Sequence, residues 1–122
     1  MDHIENHKRL PIWKYAHQMS VDLYMETNGY EFEISRHIRK AARMIWTHIG
    51  KAWNSREDEE QIMLELYLAI CAAEETQGHL ENYMAVGIMD SAVAGIFMEK
   101  CEQIIHWLEK IHENPLLWVL AF

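Results

Sequence analysis

The sequence contains few of the residues that cross-link or interrupt a chain. Its 122 residues include two cysteines, two prolines and five glycines. Cys71 and Cys101 lie in separate apolar stretches and form no CxxC motif, so we interpret them as reduced residues of the core. Little Gly and Pro in a chain that is 50% hydrophobic argues against a loop-rich or disordered protein. The length and composition favour one mostly helical domain.

Long apolar runs are also missing. The first ten residues, MDHIENHKRL, include no apolar segment of the kind found in signal peptides. No run approaches the roughly 20 apolar residues that a membrane-spanning helix needs. We therefore expect a cytoplasmic protein without a membrane partner.

Catalytic signatures are absent as well. There is no GxSxG, P-loop, GxGxxG or HExxH sequence, so we expect no enzymatic activity and no cofactor. The eight histidines leave a metal-binding bundle as a weaker alternative, because ferritin-like bundles bind metal through Glu-x-x-His motifs. Three pairs have helical spacing: Glu109 with His112, Glu75 with His79, and Glu102 with His106. Only the first has the ferritin-like spacing, and we predict no metal site.

Four helical segments, separated by short breaks, are predicted over residues 11–27, 33–53, 56–86 and 91–112. The breaks are marked by Asn28-Gly29, Asn54-Ser55, Gly87 and Asn114-Pro115, with Ser55 as the expected N-cap of the third helix. Short connections place successive helices antiparallel. The sequence therefore predicts a single all-α domain over residues 1–122, an up-down-up-down antiparallel four-helix bundle.

Two apolar features predict self-association. From Ile62 to Ala73 every residue except Glu65 is apolar, whereas a helix packed on one side needs only an apolar arc. The apolar tail, residues 116–122, reads LLWVLAF and would be an aggregation hazard in water, so we expect it to dock into a groove on this subunit or on a neighbour. The predicted homo-oligomer interface residues are Tyr67, Leu116, Leu117, Trp118 and Phe122.

The charge pattern gives the strongest indication of function. The chain has 19 acidic and 11 Lys and Arg residues, yet residues 34–56 hold six basic residues and no acidic one. We use the term basic stripe for five of them: Arg36, Arg39, Lys40 and Arg43, at i, i+3, i+4 and i+7, and Lys51, on the same side as Lys40. A cationic face on an acidic protein is a candidate contact surface for nucleic-acid phosphates or for an acidic protein partner. Its alternative role is to pair with acidic residues of the same or a neighbouring subunit, since residues 57–113 carry 13 carboxylates.

Two other groups of residues keep alternative roles. Glu74-Glu75 interrupts the apolar third helix, either because the helix becomes half-exposed there or because a carboxylate is buried against an Arg or His of the second helix. The five tryptophans pack in the core or an interface, or else stack on bases. Packing is the interpretation we favour for Trp46 and Trp53, which border the basic stripe.

Three segments together resemble a known family. LPIWKYAHQMSVDLYMET (residues 10–27), IRKAARMIWTHIGKAWN (residues 38–54) and the segment 62–81, with its Glu75-Thr76 and Leu80-Glu81 pairs, are similar in order and spacing to bacterial four-helix bundle proteins. That family was first noticed as reading frames inside intervening sequences of 23S rRNA genes. The chain departs from the family pattern at Met44, at His48 and at residues 50–52.

The resemblance implies a non-enzymatic homo-oligomeric ring, which is a pentamer in relatives. A distant branch comprises accessory proteins of diversity-generating retroelements, which bind a reverse transcriptase and nucleic acid. The sequence and the resemblance thus predict a binding or scaffold protein that contacts RNA, DNA or a nucleoprotein partner through the basic stripe. The alternative is a purely structural or protein-binding ring, in which the stripe meets the acidic surface of a neighbouring subunit.

Overall fold

The computed structural model describes residues 6–118, and over that range the chain forms four α-helices and no strand. The helices are α1 (Pro11–Glu26), α2 (Phe32–Asn54), α3 (Glu59–Ala85) and α4 (Ser91–Ile111). A single 3-10 turn precedes α1 (His7–Arg9) and another follows α4 (Pro115–Trp118). This all-helical structure is consistent with the predicted four-helix bundle.

The helix ends follow from local capping. Pro11 occupies the first turn of α1, where its missing N–H costs no hydrogen bond. The side chain of Asp90 accepts a hydrogen bond from the backbone N–H of Ala92 and caps α4. Gly87 takes a positive φ of 78° just after α3, a conformation that suits glycine.

The start of α3 differs from the prediction. Ser55 was expected to cap α3 near residue 56, but its N–H bonds the carbonyl of Lys51 and so continues the last turn of α2. Asp58 provides the cap instead, because its side chain accepts a hydrogen bond from the N–H of Gln61. Helix α3 therefore begins at Glu59.

Successive helices run antiparallel, and α4 returns to α1. Residues near the start of one helix meet residues near the end of the next: Trp13 with Trp46 and Thr27 with Arg39 between α1 and α2; His48 with Glu65 and Ile34 with Tyr83 between α2 and α3; Glu59 with His112 and Gln77 with Glu102 between α3 and α4. Tyr15 of α1 contacts Gln103 of α4 through its hydroxyl group. These contacts describe an up-down-up-down arrangement over the described residues.

All four helices contribute apolar side chains to one core. Its largest fully buried apolar residues are Leu10, Ile12, Met19, Leu23, Ile38, Ile45, Ile49, Leu80, Ile104, Leu108 and Ile111. Cys101 belongs to this core, whereas Cys71 is only half-buried on α3, so the expectation of two core cysteines holds for Cys101 alone. None of the described helices is long and apolar enough to cross a membrane.

The start of the C-terminal tail packs on its own chain. The indole of Trp118 is 4% exposed and meets the ring of Trp53 edge-on, with 5.3 Å between centroids. Leu117 is half-buried against the core, and Leu116 is exposed. Trp118 therefore docks into a groove on its own chain, which is one of the two positions expected for the tail. Its place in a subunit interface stays a prediction. Phe122 lies outside the described residues.

Candidate functional site

A groove of about 640 Å³ runs between the second half of α1 and the first half of α2. We name it the basic groove. It is lined by Ser20 and Tyr24 from α1 and by Phe32, Arg36, His37, Arg39, Lys40, Arg43 and Trp46 from α2. Four of the five residues of the basic stripe meet here, and no carboxylate lines the groove. A cleft in which all the charged side chains are positive has a concentrated positive potential and attracts anions.

Lys51, the fifth residue of the basic stripe, lies outside the groove. It follows Arg43 by roughly 12 Å along α2 at the helical rise of about 1.5 Å per residue. Its side chain is exposed and makes no hydrogen bond or ion pair with any described residue. Lys51 therefore extends the cationic surface of α2 without lining the groove.

Arg39 is anchored to the end of α1. Its Nε donates a hydrogen bond of 2.9 Å to Thr27 Oγ1, and its Nη2 donates one of 3.1 Å to the carbonyl of Tyr24. The guanidinium also lies over the ring of Tyr24, 3.9 Å from its centroid. Thr27 is fully buried and donates its own hydroxyl proton to the carbonyl of Leu23. Arg39 therefore joins α2 to α1, and its charge lines the groove from a fixed position.

The other cations of the groove are held loosely. Arg36 forms an exposed ion pair with Glu33 one turn earlier, with Nε 3.2 Å from Oε2, and such surface pairs contribute little to stability. Lys40 and Arg43 are exposed, and their side chains form no hydrogen bond or ion pair within residues 6–118. Lys40 and Arg43 are the cations most available to an external anion.

Aromatic side chains lie at both ends of the groove. Phe32 is 70% exposed at one end, whereas Trp46 is half-buried at the other. The rings of Trp13 and His17 stack on each other with 4.7 Å between centroids, and both meet Trp46 edge-on. The indole Nε1 of Trp46 is buried without an acceptor among the described residues. Trp46 therefore packs against Trp13 and His17, and it also forms part of the groove wall.

The structure supports the first of the two interpretations of Glu74-Glu75, in which the third helix becomes half-exposed there. Glu74 and Glu75 are both exposed, and Glu75 is 3.9 Å from His79 of the same helix. The buried carboxylate is Glu65, whose Oε2 lies 3.2 Å from His48 Nδ1 of α2. Its position as the one charged residue in the apolar segment 62–73 is the signal that could have identified it.

One histidine of the three Glu–His pairs meets a different carboxylate in the structure. His112 lies 2.9 Å from Glu59 of α3, which shows that its partner is on another helix and is not Glu109. Residues 6–118 contain no group of three His, Cys, Asp or Glu side chains arranged to hold a metal ion. The structure therefore gives the metal-binding alternative no support.

Comparisons with protein-family models, with curated proteins and with solved structures found no match. The family resemblance stays a prediction from the sequence. A function for this chain accordingly has to be argued from the chemistry of the basic groove.

Proposed function

We propose that this protein is a non-enzymatic binding module that holds the phosphate backbone of a nucleic acid in the basic groove. The observation that carries the proposal is the lining of that groove: four cationic side chains and no carboxylate, in a protein with a net charge of −8. The nucleic acid is bound alone or as part of a nucleoprotein, such as the reverse transcriptase complexes of a distant branch of the family that the sequence resembles.

The four cations have different roles in this proposal. Lys40 and Arg43 make the direct phosphate contacts, because their side chains form no hydrogen bond or ion pair with any described residue. Arg39 provides a fixed positive charge, since its anchoring to Thr27 and Tyr24 leaves little side-chain entropy to lose on binding. Arg36 joins the site by exchanging its weak pair with Glu33 for a phosphate.

The test is a double charge reversal, Lys40→Glu with Arg43→Glu. Binding of fluorescently labelled RNA and DNA is measured by anisotropy over a range of salt concentrations. The wild-type affinity falls steeply with salt, and each phosphate contact that is lost lowers the log–log slope by about one. The matched control is Lys14→Glu with Lys110→Glu, which makes the same charge change at exposed positions outside the groove. Equal affinities in the two double variants would rule out the basic groove as the binding site.

Self-association is a second candidate function, and a specific surface favours it. Met63, Leu64 and Tyr67 are exposed along one side of α3, and Tyr67 is 62% exposed. Isolated apolar residues are common on protein surfaces, but adjacent ones on a single helix mark an interaction site. In this alternative the chain forms a homo-oligomeric ring, a pentamer as in the resembled family, and the basic stripe meets the acidic surface of the next subunit.

Light scattering separates the two candidates. If the oligomer is held by the α3 surface and the basic stripe, Tyr67→Asp and the Lys40→Glu with Arg43→Glu variant both reduce the molecular mass. If the basic stripe serves nucleic acid, the charge reversal leaves the mass unchanged and removes nucleic-acid binding. The circular dichroism of each variant shows whether the helices are retained.

A further inference from the structure

We infer that the basic groove selects single-stranded nucleic acid, with phosphates at Lys40 and Arg43 and an unstacked base on Phe32. This inference rests on the proposed function and specifies which form of nucleic acid the groove accepts. It is carried by the order in which cationic and aromatic side chains line the groove, together with the charges that flank its aromatic end.

The groove residues of α2 form a single row. Phe32, Arg36, Lys40, Arg43 and Trp46 follow one another at intervals of three or four residues, so they share one face of the helix. The two aromatic ends are roughly 21 Å apart along the axis at about 1.5 Å per residue. A single strand that lies along this row meets cations in the middle and an aromatic ring at each end. Charged grooves with stacking rings are the usual way in which proteins bind single strands.

The two aromatic ends differ in accessibility. Phe32 is 70% exposed, so a base can stack on this end without displacing a core residue. Trp46 is held in place by Trp13 and His17, and it forms a rigid apolar wall at the other end. Stacking at the Phe32 end requires a base that is free of its own helix, which a duplex does not offer.

The charges near Phe32 favour a base over a phosphate at that end. Glu31 and Glu33 flank Phe32 in sequence, and both are exposed. Glu33 also pairs with Arg36, so this end of the groove offers a phosphate less net positive charge than Lys40 and Arg43 do. Duplex DNA carries about one negative charge per 1.7 Å of its axis and is stiff, so its phosphates cannot avoid this end of the groove. A flexible single strand carries half that charge density and can turn its backbone towards Lys40 and Arg43.

The inference is tested with labelled homopolymers of uridine and of deoxythymidine, about 20 nucleotides long, and with a DNA duplex of equal length. Anisotropy titrations are made at low and at moderate salt with the wild type, Phe32→Ala and Phe32→Trp. Phe32 is largely exposed, so its replacement leaves the core intact. The matched control is Ile96→Ala, which removes another exposed large apolar side chain, on α4 and outside the groove.

We expect both single strands to bind at least about tenfold more tightly than the duplex. Phe32→Ala weakens single-strand binding at least about fivefold, the loss of about 1 kcal/mol expected for one stacked base. Phe32→Trp restores it, Ile96→Ala leaves it unchanged, and duplex binding does not respond to position 32.

Two results contradict the inference in different ways. If duplex and single strands bind equally, and Phe32→Ala has no effect while Lys40→Glu with Arg43→Glu abolishes both, the groove contacts phosphates only; the proposed function then stands and the single-strand selectivity is wrong. If none of the probes binds even at low salt, the proposed function fails as well.

Discussion

His48 and Glu65 form a buried pair between α2 and α3. The Nδ1 of His48 lies 3.2 Å from Oε2 of Glu65, and the two side chains are only 12% and 7% exposed. No other described side chain pairs with either group. Burying a polar group costs desolvation free energy, which a hydrogen bond to its partner offsets. When a single partner is removed, that cost is no longer offset. The pair therefore fixes how α2 and α3 pack against each other.

A double-mutant cycle tests this pair. Replacing either residue alone, by His48→Leu or Glu65→Leu, leaves the other buried without a partner and lowers the free energy of unfolding by about 1–3 kcal/mol. The double variant replaces both with apolar groups, so it loses less than the sum of the two single variants by at least about 0.5 kcal/mol. Urea unfolding of the four proteins gives these values. Strict additivity would mean that the two side chains do not interact in solution.

Arg39 and Arg43 are expected to differ in their effects on stability although both line the basic groove. Arg39→Gln removes two hydrogen bonds and a cation–π contact that join α2 to the end of α1, and we expect it to lower the free energy of unfolding by about 1–2 kcal/mol. The side chain of Arg43 forms no hydrogen bond or ion pair with a described residue, so the effect of Arg43→Gln stays within about 0.5 kcal/mol. Urea unfolding compares the two variants, and equal losses would show that Arg39 is not an anchor.

The helices were largely predictable because apolar residues recur at helical spacing and capping residues lie between them. The start of α3 was not predictable, because Ser55 and Asp58 are both residues that cap helices well. Which of them does so depends on how the last turn of α2 closes. Local sequence offers two adequate solutions there, and the backbone geometry selects Asp58.

The candidate site was predictable only as far as it lies on one helix. Arg36, Lys40 and Arg43 share a face of α2 by spacing alone. The contribution of Tyr24 and the anchoring of Arg39 depend on how α1 docks on α2, which spacing within α2 does not reveal. The same limit applies to the partner of Glu65 and to the burial of Trp118, because both are set by contacts between elements distant in the sequence.

Gly50 and His7 are in close contact, and this contact reduces the stability that Gly50→Ala would otherwise add. A Cβ atom at position 50 would lie 2.9 Å from Cδ2 of His7, so the imidazole would have to move. Gly50→Ala in the His7→Ala background is expected to raise the free energy of unfolding by about 1 kcal/mol, since alanine is the better helix former. In the wild-type background the gain is smaller by at least about 0.5 kcal/mol, which thermal or urea unfolding can resolve. Equal gains would show that His7 does not pack on α2.

The stability contribution of His7 depends on pH. Burial lowers the pKa of His7 from 6.5, and the neighbouring charge of Lys8 lowers it further. Well above pH 6.5 the imidazole is neutral in both the folded and the unfolded chain, so its contribution is fully present. As the pH falls from 6.5 towards the lower folded pKa, the unfolded chain takes up the proton first and stability is lost.

His7→Phe is the matching variant for this prediction, because it keeps an aromatic ring beside Trp13 and cannot be protonated. Between about pH 7.5 and about pH 5.5 the wild type is expected to lose more stability than His7→Phe. The melting temperatures of the two proteins at each pH provide the comparison. Parallel decreases would assign the pH dependence to other groups.

The two cysteines are expected to differ sharply in reactivity. Cys101 is fully buried, and burial raises the pKa of its thiol to about 12, with a smaller contribution from the neighbouring charge of Glu102. The reactive thiolate is therefore almost absent at neutral pH, and reagents cannot reach the sulfur. Cys71 is half-buried on α3 and has access to solvent. A colorimetric thiol reagent is expected to modify one cysteine in the folded protein and both in concentrated urea, and Cys71→Ser should leave no rapidly reacting thiol. Rapid labelling of that variant would show that the core around Cys101 opens readily.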